Sequence, residues 1–203
     1  VKPWMLDMEL ELRMRLCNNM NDTWRELACL RYRHLYENPE FICSNGITFK
    51  QSTPGIMKSG CVNTITTNSI IQVLLHTRVC LELEQDIYPI LVMGDDTLQY
   101  PLSNTAEYVD KLKEYCLVKH FKNANEFAGV EFKQDGTVEP LYKGKHAYTL
   151  LHMNPEYLQE IAASYTLLYH RSSDKTFFRS LFEDMGVTIP TESRQDEIWE
   201  SEE

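Results

Sequence analysis

The sequence predicts an α+β fold in which antiparallel β-hairpins pack on helices, with a small helical segment after them. Short apolar runs flank two turn signals, Asn45-Gly46 and Gly94-Asp95, and this pattern is typical of hairpins. Apolar residues recur at helical spacing through Ile65, Ile71, Leu74 and Leu75, which predicts a helix that runs to about Leu83. The 43% hydrophobic content is sufficient to form a core.

Composition bounds the class of protein. The 203 residues suffice for one domain, or for one domain with a small appendage. A formal net charge of -10 argues against a nonspecific nucleic-acid coat protein, but an enzyme with a local basic groove remains compatible with it. The six cysteines include no C-x-x-C pair, which favours reduced thiols in a cytosolic protein over structural zinc. The sequence contains no signal peptide and no membrane-spanning stretch.

The N-terminal region predicts two helices and a hairpin. Apolar and charged residues alternate as in a strand, yet no β-branched residue lies between Lys2 and Asn21, and the residue types favour a helix. Asn21 or Asp22 caps a second helix to about Tyr36, with an apolar face expected to point inward: Trp24, Leu27, Leu30 and Leu35. Residues 41–50 form a hairpin around Asn-Gly.

Residues 53–70 begin as a Pro/Gly loop and continue as a helix that runs to about Leu83. A loop entering a helix presents backbone N–H groups and the positive end of the helix dipole to a ligand. Thr64 and Asn68 lie one turn apart on the same face, and Ser59 and Gly60 precede them where the backbone allows close approach. An ordinary Ser/Thr-rich helix start explains the same residues about equally well when they are considered alone.

The stretch from Ile87 to Tyr100 predicts a strand, a tight turn at Gly94 and a second strand. Asp95 and Asp96 then lie at the tip of this hairpin. Two adjacent carboxylates raise the cost of ionising each other, and a divalent cation removes that cost. Hard oxygen ligands suit Mg²⁺ or Mn²⁺. The alternative is a surface hairpin whose aspartates only favour the turn.

The second half of the chain predicts further short elements. A helix starts at Asn104 or Thr105 and runs to Tyr115, and residues 117–122 form a strand or loop that carries Lys119 and Lys122. The runs 126–133 and 138–143, on either side of residues 134–136, predict another hairpin. After it comes a basic cluster expected in a solvated loop: Lys143, Lys145 and His146.

The C-terminal region predicts helices and then a tail. One helix opens at Asn154-Pro155 and runs to about His170, with five residues facing inward: Tyr157, Leu158, Ile161, Tyr165 and Leu168. Another segment starts at Asp174 and ends at Gly186. The charged stretch from Pro190 onward predicts a loose tail.

In this order, the motifs resemble the palm of viral RNA-dependent RNA polymerases. Residues 54–60, Pro-Gly-Ile-Met-Lys-Ser-Gly, together with Thr64, Asn68 and Ser69, are similar to motif B, and Met-Gly-Asp-Asp-Thr at 93–97 is similar to motif C. Residues 117–122 and 129–132 resemble motifs D and E more loosely. The residues at 54–60 are most similar to motif B of the sobemovirus and polerovirus-like group.

The resemblance implies a partial right-hand palm over residues 1–150, the start of a helical thumb over 151–188 and an acidic flexible tail over 189–203. Such polymerases carry an aspartate-bearing motif A ahead of the first helices. Asp7 is the nearest aspartate and matches it poorly. Since the chain begins at Val1 and not at Met, we expect motif A, the fingers and the front of the palm in another part of a longer viral polyprotein. We therefore expect the isolated chain to be inactive or nearly so.

The resemblance also implies roles for individual residues. Asp95 would be the main ligand and Asp96 a secondary ligand of Mg²⁺ or Mn²⁺ in two-metal nucleotidyl transfer. Lys119 or Lys122 would protonate the leaving group. The residues expected to bind the incoming nucleotide are Ser59, Gly60, Thr64 and Asn68, of which Asn68 could read the ribose 2′-hydroxyl.

The implied partners are template RNA, nascent RNA and ribonucleoside triphosphates, in the cytoplasm of a host cell. A reverse transcriptase shares a double aspartate but usually has Tyr two residues before it, where this chain has Met93. A non-catalytic replication module, or a degenerate polymerase, is the alternative from a different functional class.

Overall fold

The computed structural model describes residues 1–201 and has the α+β class that the sequence predicts, with helices and small antiparallel sheets. It divides into two compact units, Val1–Asn123 and Ala124–Glu203. This division differs from the boundary predicted after residue 150. Val138 N donates a 2.9 Å hydrogen bond to Arg171 O, so the last hairpin belongs with the C-terminal helices. None of the helices in residues 1–201 is long and apolar enough to cross a bilayer.

The first unit contains four α-helices and two hairpins. Asn21 caps the second helix by accepting a 2.8 Å hydrogen bond from Trp24 N, and Asn104 caps the fourth by accepting one of 3.3 Å from Glu107 N, as predicted. The elements are α1 (Pro3–Leu16), α2 (Asp22–Tyr32), β1 (Glu40–Ile42), β2 (Thr48–Lys50), α3 (Thr64–Glu82), β3 (Ile90–Met93), β4 (Asp96–Gln99) and α4 (Thr105–Lys113).

Helix α3 forms the centre of the first unit. Ile71 and Leu75 pack in one buried cluster with Met5, Leu6 and Tyr36. The next turns of α3 contribute to a second cluster, which consists of Val79, Cys80, Leu102 and Tyr108. Because buried residues recur every four positions along one face, α3 is held on that face and its N-terminal turns have a fixed position.

The predicted inward face of α2 is wrong for three of its four residues. Trp24, Leu27 and Leu30 are 39%, 59% and 46% exposed, and none of the α2 residues is buried. The helix continues as one π-helical turn, Arg33–Glu37, which buries Tyr36 in the core. The burial that anchors this region is therefore at its C-terminal end, where Leu35 also packs.

The second unit is a three-stranded antiparallel sheet with four α-helices. The stretch expected to be one strand, 126–133, is broken by a turn because Ala128 and Gly129 both have positive φ, 50° and 82°. The elements are β5 (Glu126–Phe127), β6 (Val130–Phe132), β7 (Val138–Pro140), α5 (Lys143–Leu151), α6 (Leu158–Leu168), α7 (Lys175–Asp184) and α8 (Glu192–Glu200). A 3₁₀ turn, Pro155–Tyr157, precedes α6.

Aromatic side chains dominate the core of the second unit. The rings of Tyr169 and Phe178 stack with centroids 3.7 Å apart, and Phe182 and Ala162 are fully buried beside them. Four of the five residues predicted to face inward from α6 pack on this core, whereas Tyr157 is 56% exposed. Tyr157 lies in the 3₁₀ turn, before the helical face begins.

Two further predictions for this unit are wrong. The basic cluster at 143–146 is not a solvated loop but the start of α5, where Lys143 pairs with Glu139 and Asp174. The tail predicted from Pro190 onward contains α8, whose Gln195 is fully buried and donates to Thr166 Oγ1 at 2.9 Å. The charge of these two stretches predicted exposure to solvent, but Lys143 and the charged residues of α8 form ion pairs within the unit. Glu202 and Glu203 lie outside the described residues.

Candidate functional site

The Gly-Asp-Asp sequence forms the predicted hairpin turn. Met93 pairs with Asp96, which leaves Gly94 and Asp95 as a two-residue turn, and Gly94 has a φ of +65°. Asp95 and Asp96 are both exposed, and neither carboxylate forms a hydrogen bond or ion pair within residues 1–201. Two adjacent carboxylates without internal partners are available to a cation from solvent.

A hydrogen bond fixes this turn against α3. The backbone N–H of Gly94 donates to Ser69 Oγ at 2.8 Å, while the Ser69 hydroxyl donates to Ile65 O at 2.8 Å. A Cβ atom on Gly94 would lie 3.9 Å from Ile65 Cγ1, so the turn and the first turns of α3 are in van der Waals proximity. The sequence analysis named Ser69 only as part of a motif. Its role in joining the two motifs depends on tertiary packing.

The four residues predicted to bind a nucleotide lie in the loop before α3 and in the first turns of that helix. Ser59 and Gly60 are exposed, and Gly60 has a φ of +80°. Asn68 is half-buried, and its side chain forms no hydrogen bond in the described part of the chain. Thr64 uses its hydroxyl to donate to Lys58 O at 2.6 Å, which ties the loop to the helix. Thr64 therefore shapes the loop, and its hydroxyl oxygen can still accept hydrogen bonds through its two lone pairs.

Gly55 holds the other end of this loop. Its N–H donates to Tyr36 O at 2.9 Å, and its φ of +91° is strained for any other residue. A Cβ atom at this position would lie 2.6 Å from Val1 O, a distance that the backbone does not tolerate. The loop is thus attached to the core at Gly55 and to α3 at Thr64, and the exposed residues Ser59 and Gly60 lie between these points.

A buried polar network supports the start of α3, and sequence reasoning missed it. Glu9 is fully buried and accepts hydrogen bonds from Arg13 and Tyr32. The Arg13 guanidinium also donates to Thr66 Oγ1 at 3.2 Å and Thr67 Oγ1 at 3.5 Å, on α3. Burial, followed by the hydrogen bond to Glu9, raises the pKa of Tyr32. The i, i+4 spacing of Glu9 and Arg13 is visible in the sequence and indicates an ion pair, but the sequence does not show that Glu9 is buried.

The predicted general acids lie away from regular structure. Lys119 and Lys122 are exposed on the irregular segment between α4 and β5. Their proposed proton transfer stays a prediction, as does the choice between them.

Within residues 1–201 no group of three or more His, Cys, Asp or Glu side chains is arranged to hold a metal ion. The donor set at the turn is therefore the pair Asp95 and Asp96.

Comparisons with known proteins connect the chain to long viral proteins. It is 28% identical over 185 residues to Protein P1-P2 of Potato leafroll virus, a match that covers 88% of this chain and 16% of that protein. It is 43% identical over 154 residues to Protein P2-P3 of Poinsettia latent virus, which covers 75% of this chain and 13% of that protein. Protein P1-P2 of Pea enation mosaic virus-1 is 30% identical over 137 residues.

No family model and no solved structure matches the chain. The chain spans 16% of the length of the first of these relatives, so it corresponds to one region of a much longer viral protein. The chain is related to the viral proteins P1-P2 and P2-P3. This relationship agrees with the viral origin that the sequence predicts.

Proposed function

We propose that this chain carries part of the nucleotidyl-transfer site of a viral RNA-directed RNA polymerase. The observation that carries the proposal is the 2.8 Å hydrogen bond from Gly94 N to Ser69 Oγ. It joins a turn with two unpaired carboxylates to a helix start that presents polar groups. A site of this kind can hold a triphosphate between cation ligands on one side and ribose contacts on the other.

The residues of the chain would act mainly by positioning. In the reaction, the RNA 3′-hydroxyl loses its proton to solvent and its oxygen bonds to the α-phosphorus of a ribonucleoside triphosphate, while the bond from that phosphorus to the departing pyrophosphate breaks. Asn68, with its unpaired side-chain amide, would contact the ribose. Ser59 and Gly60 would approach the nucleotide through their backbone groups. Lys119 or Lys122 would donate a proton to the pyrophosphate oxygen.

Asp95 and Asp96 fit a hard divalent cation, because both are oxygen donors without internal partners and both are exposed. Mg²⁺ or Mn²⁺ would offset the negative charge of the triphosphate and lower the pKa of the attacking hydroxyl. Two carboxylates are fewer than such sites usually use. We propose that another segment of the longer viral protein supplies a further carboxylate, and that the 203-residue chain alone does not synthesise RNA.

The test uses the longer viral protein with template RNA and labelled ribonucleotides. We expect Asp95→Asn to lower incorporation at least about 100-fold, because the substitution removes a charged metal ligand. Asp110→Asn is the matched control, since Asp110 is an exposed aspartate of the same unit, paired only with Lys113 at the surface. Near-normal synthesis by the Asp95→Asn protein would remove Asp95 from the site. Preferred use of deoxyribonucleotides would favour a reverse transcriptase.

A second candidate is a non-catalytic interaction module, and one observation favours it. Helix α2 exposes Trp24, Leu27 and Leu30 along one side, and exposed apolar faces are common at protein interfaces. This candidate predicts that both aspartate variants leave synthesis unchanged and that substitution of Trp24 impairs replication instead. The same incorporation assay, with Trp24→Ser added, separates the two functions.

A further inference from the structure

An open groove of about 700 Å³ lies between the β1–β2 hairpin and the loop that leads to α3. Its lining includes the aromatic residues Phe41 and Phe49, the basic residues Lys50 and Lys58, and Ser59. The groove is thus continuous with the loop that the proposed function places at the nucleotide. Its aromatic and basic lining is not explained by metal binding or by ribose contact.

The aromatic side of the groove is a stack that ends in solvent. Phe41 and Phe49 are cross-strand partners whose rings stack with centroids 4.9 Å apart and planes inclined by 14°. Phe49 is 52% exposed, although Phe41 covers one of its faces. About half of the Phe49 side chain therefore remains accessible to a further flat group. A nucleic-acid base is such a group, and stacking on an aromatic ring binds any base.

The groove also has groups that can bind a phosphate. Lys58 Nζ lies 5.1 Å from the centroid of the Phe41 ring and donates to Gln51 Oε1 and to Ile56 O. An ammonium group has three donors, so one remains for a ligand. Partial burial lowers the pKa of Lys58, and a bound anion would counter this effect.

The charge of the lining contrasts with the chain as a whole. Lys50 and Lys58 line the groove against a single carboxylate, Glu40, which is the cross-strand partner of Lys50. The formal net charge of the chain is -10. The small excess of positive charge in the groove lies beside an exposed aromatic ring. The combination favours a phosphate-bearing ligand with a base that can stack on the ring. An acidic peptide is less favoured, because its carboxylates do not stack on the ring.

From this lining we infer that the groove binds single-stranded RNA, with one base stacked on Phe49 and the adjoining phosphate at Lys50 and Lys58. The choice of RNA rests on the proposed function, whereas the stacked base and the phosphate contact rest on the groove itself. In the polymerase this contact would hold a strand beside the loop that contains Ser59.

The experiment measures binding of a fluorescein-labelled eight-nucleotide oligouridylate to the 203-residue chain by fluorescence anisotropy. We expect Phe49→Leu to weaken binding about tenfold, and Phe49→Tyr to restore it, because Tyr keeps the stacking face. Phe177→Leu is the matched control, since Phe177 is also an exposed phenylalanine, 63% accessible against 52% for Phe49, and it belongs to the other unit. Circular dichroism of each variant verifies that the fold is retained.

A second pair of variants tests the phosphate contact. Lys50→Gln should weaken binding and reduce the slope of log affinity against log salt by about one, whereas Lys133→Gln, an exposed lysine of the second unit, should leave the slope unchanged. Equal weakening by Phe49→Leu and Phe177→Leu would overturn the inference, as would the absence of any binding. Competition by polyglutamate as strong as by unlabelled oligouridylate, or by uridine monophosphate alone, would overturn it as well.

These results are separable from those of the proposed function. Asp110→Asn should leave oligouridylate binding unchanged, because Asp110 lies on α4 and does not line the groove. If Asp95→Asn abolishes synthesis but Phe49→Leu does not affect RNA binding, the polymerase function is supported and the RNA-binding role of the groove is rejected. If Phe49→Leu weakens RNA binding but the longer viral protein does not synthesise RNA, the RNA-binding role of the groove is supported and the polymerase function is rejected.

Discussion

The two units use carboxylates in opposite ways. In the first unit, Asp95 and Asp96 lie exposed at a turn with no partner among the described residues. In the second unit, Glu139 is 5% exposed and fully engaged: it accepts from Lys143 Nζ, Ser172 Oγ and Ser173 N, each at 2.8 Å. A carboxylate satisfied inside the protein stabilises the fold, whereas an unsatisfied one is left to bind a ligand.

The largest expected effect is on the free energy of unfolding, which should differ between variants of Glu139 and of Asp95. Glu139→Gln should lower the free energy of unfolding by about 2 kcal/mol, because charge-assisted hydrogen bonds to a buried group are lost. Asp95→Asn should change it by less than about 0.5 kcal/mol. Urea unfolding of both variants at pH 7 measures the difference. A large loss in the Asp95 variant and none in the Glu139 variant would reverse the assignment of the two roles.

The pH dependence of stability sharpens the same comparison. Burial raises the pKa of Glu139, but the hydrogen bonds from Lys143, Ser173 and Ser172 outweigh burial and lower the pKa to about 2. Because the folded pKa lies below the unfolded value of about 4.3, this stabilisation is present above pH 4.3 and is lost as pH falls toward 2. The stability advantage of the unmodified chain over Glu139→Gln should therefore shrink in urea titrations from pH 5 to pH 3. A stability advantage that stays constant over this pH range would contradict this explanation.

A smaller effect is expected where the first unit does satisfy a polar group. Ser69→Ala removes the acceptor of the Gly94 N–H and should cost about 1 kcal/mol of unfolding free energy. Ser103→Ala, at an exposed serine before α4, is the matched control. Because Ser69 holds the carboxylate turn, we also expect slower RNA synthesis by the longer viral protein with this substitution. Unchanged stability and synthesis would show that the bond does not position the turn.

Local signals in the sequence predicted much of the fold. The Asn caps at 21 and 104, the Gly94 turn and helix α3 were predicted correctly, because each depends on residues close together in the sequence. Of the apolar residues that predicted α3, Ile71 and Leu75 are buried, whereas Ile65 is 49% exposed. The features that sequence reasoning missed depend on distant partners. Helix α8 was predicted as a loose tail because its charges are conspicuous, and its buried Gln195 is understandable only beside Thr166.

The site shows the same limit. The turn residues and the residues of the α3 start were identified from their order in the chain, because their types suit cation and ribose contacts. Their connection through Ser69 was not predictable, since Ser69 and Gly94 are 25 residues apart. The network at Glu9 and the stack at Phe49 were also missed, because burial and ring geometry are tertiary properties.

The central claim is that the start of α3 and the carboxylate turn act on the same nucleotide. The most direct test is sugar discrimination: incorporation of ribonucleotides relative to deoxyribonucleotides by the longer viral protein carrying Asn68→Ala. We expect this ratio to fall at least about tenfold, because a contact to the 2′-hydroxyl is lost, while Asp95→Asn lowers incorporation of both sugars alike. An unchanged ratio in the Asn68 variant would contradict the claim.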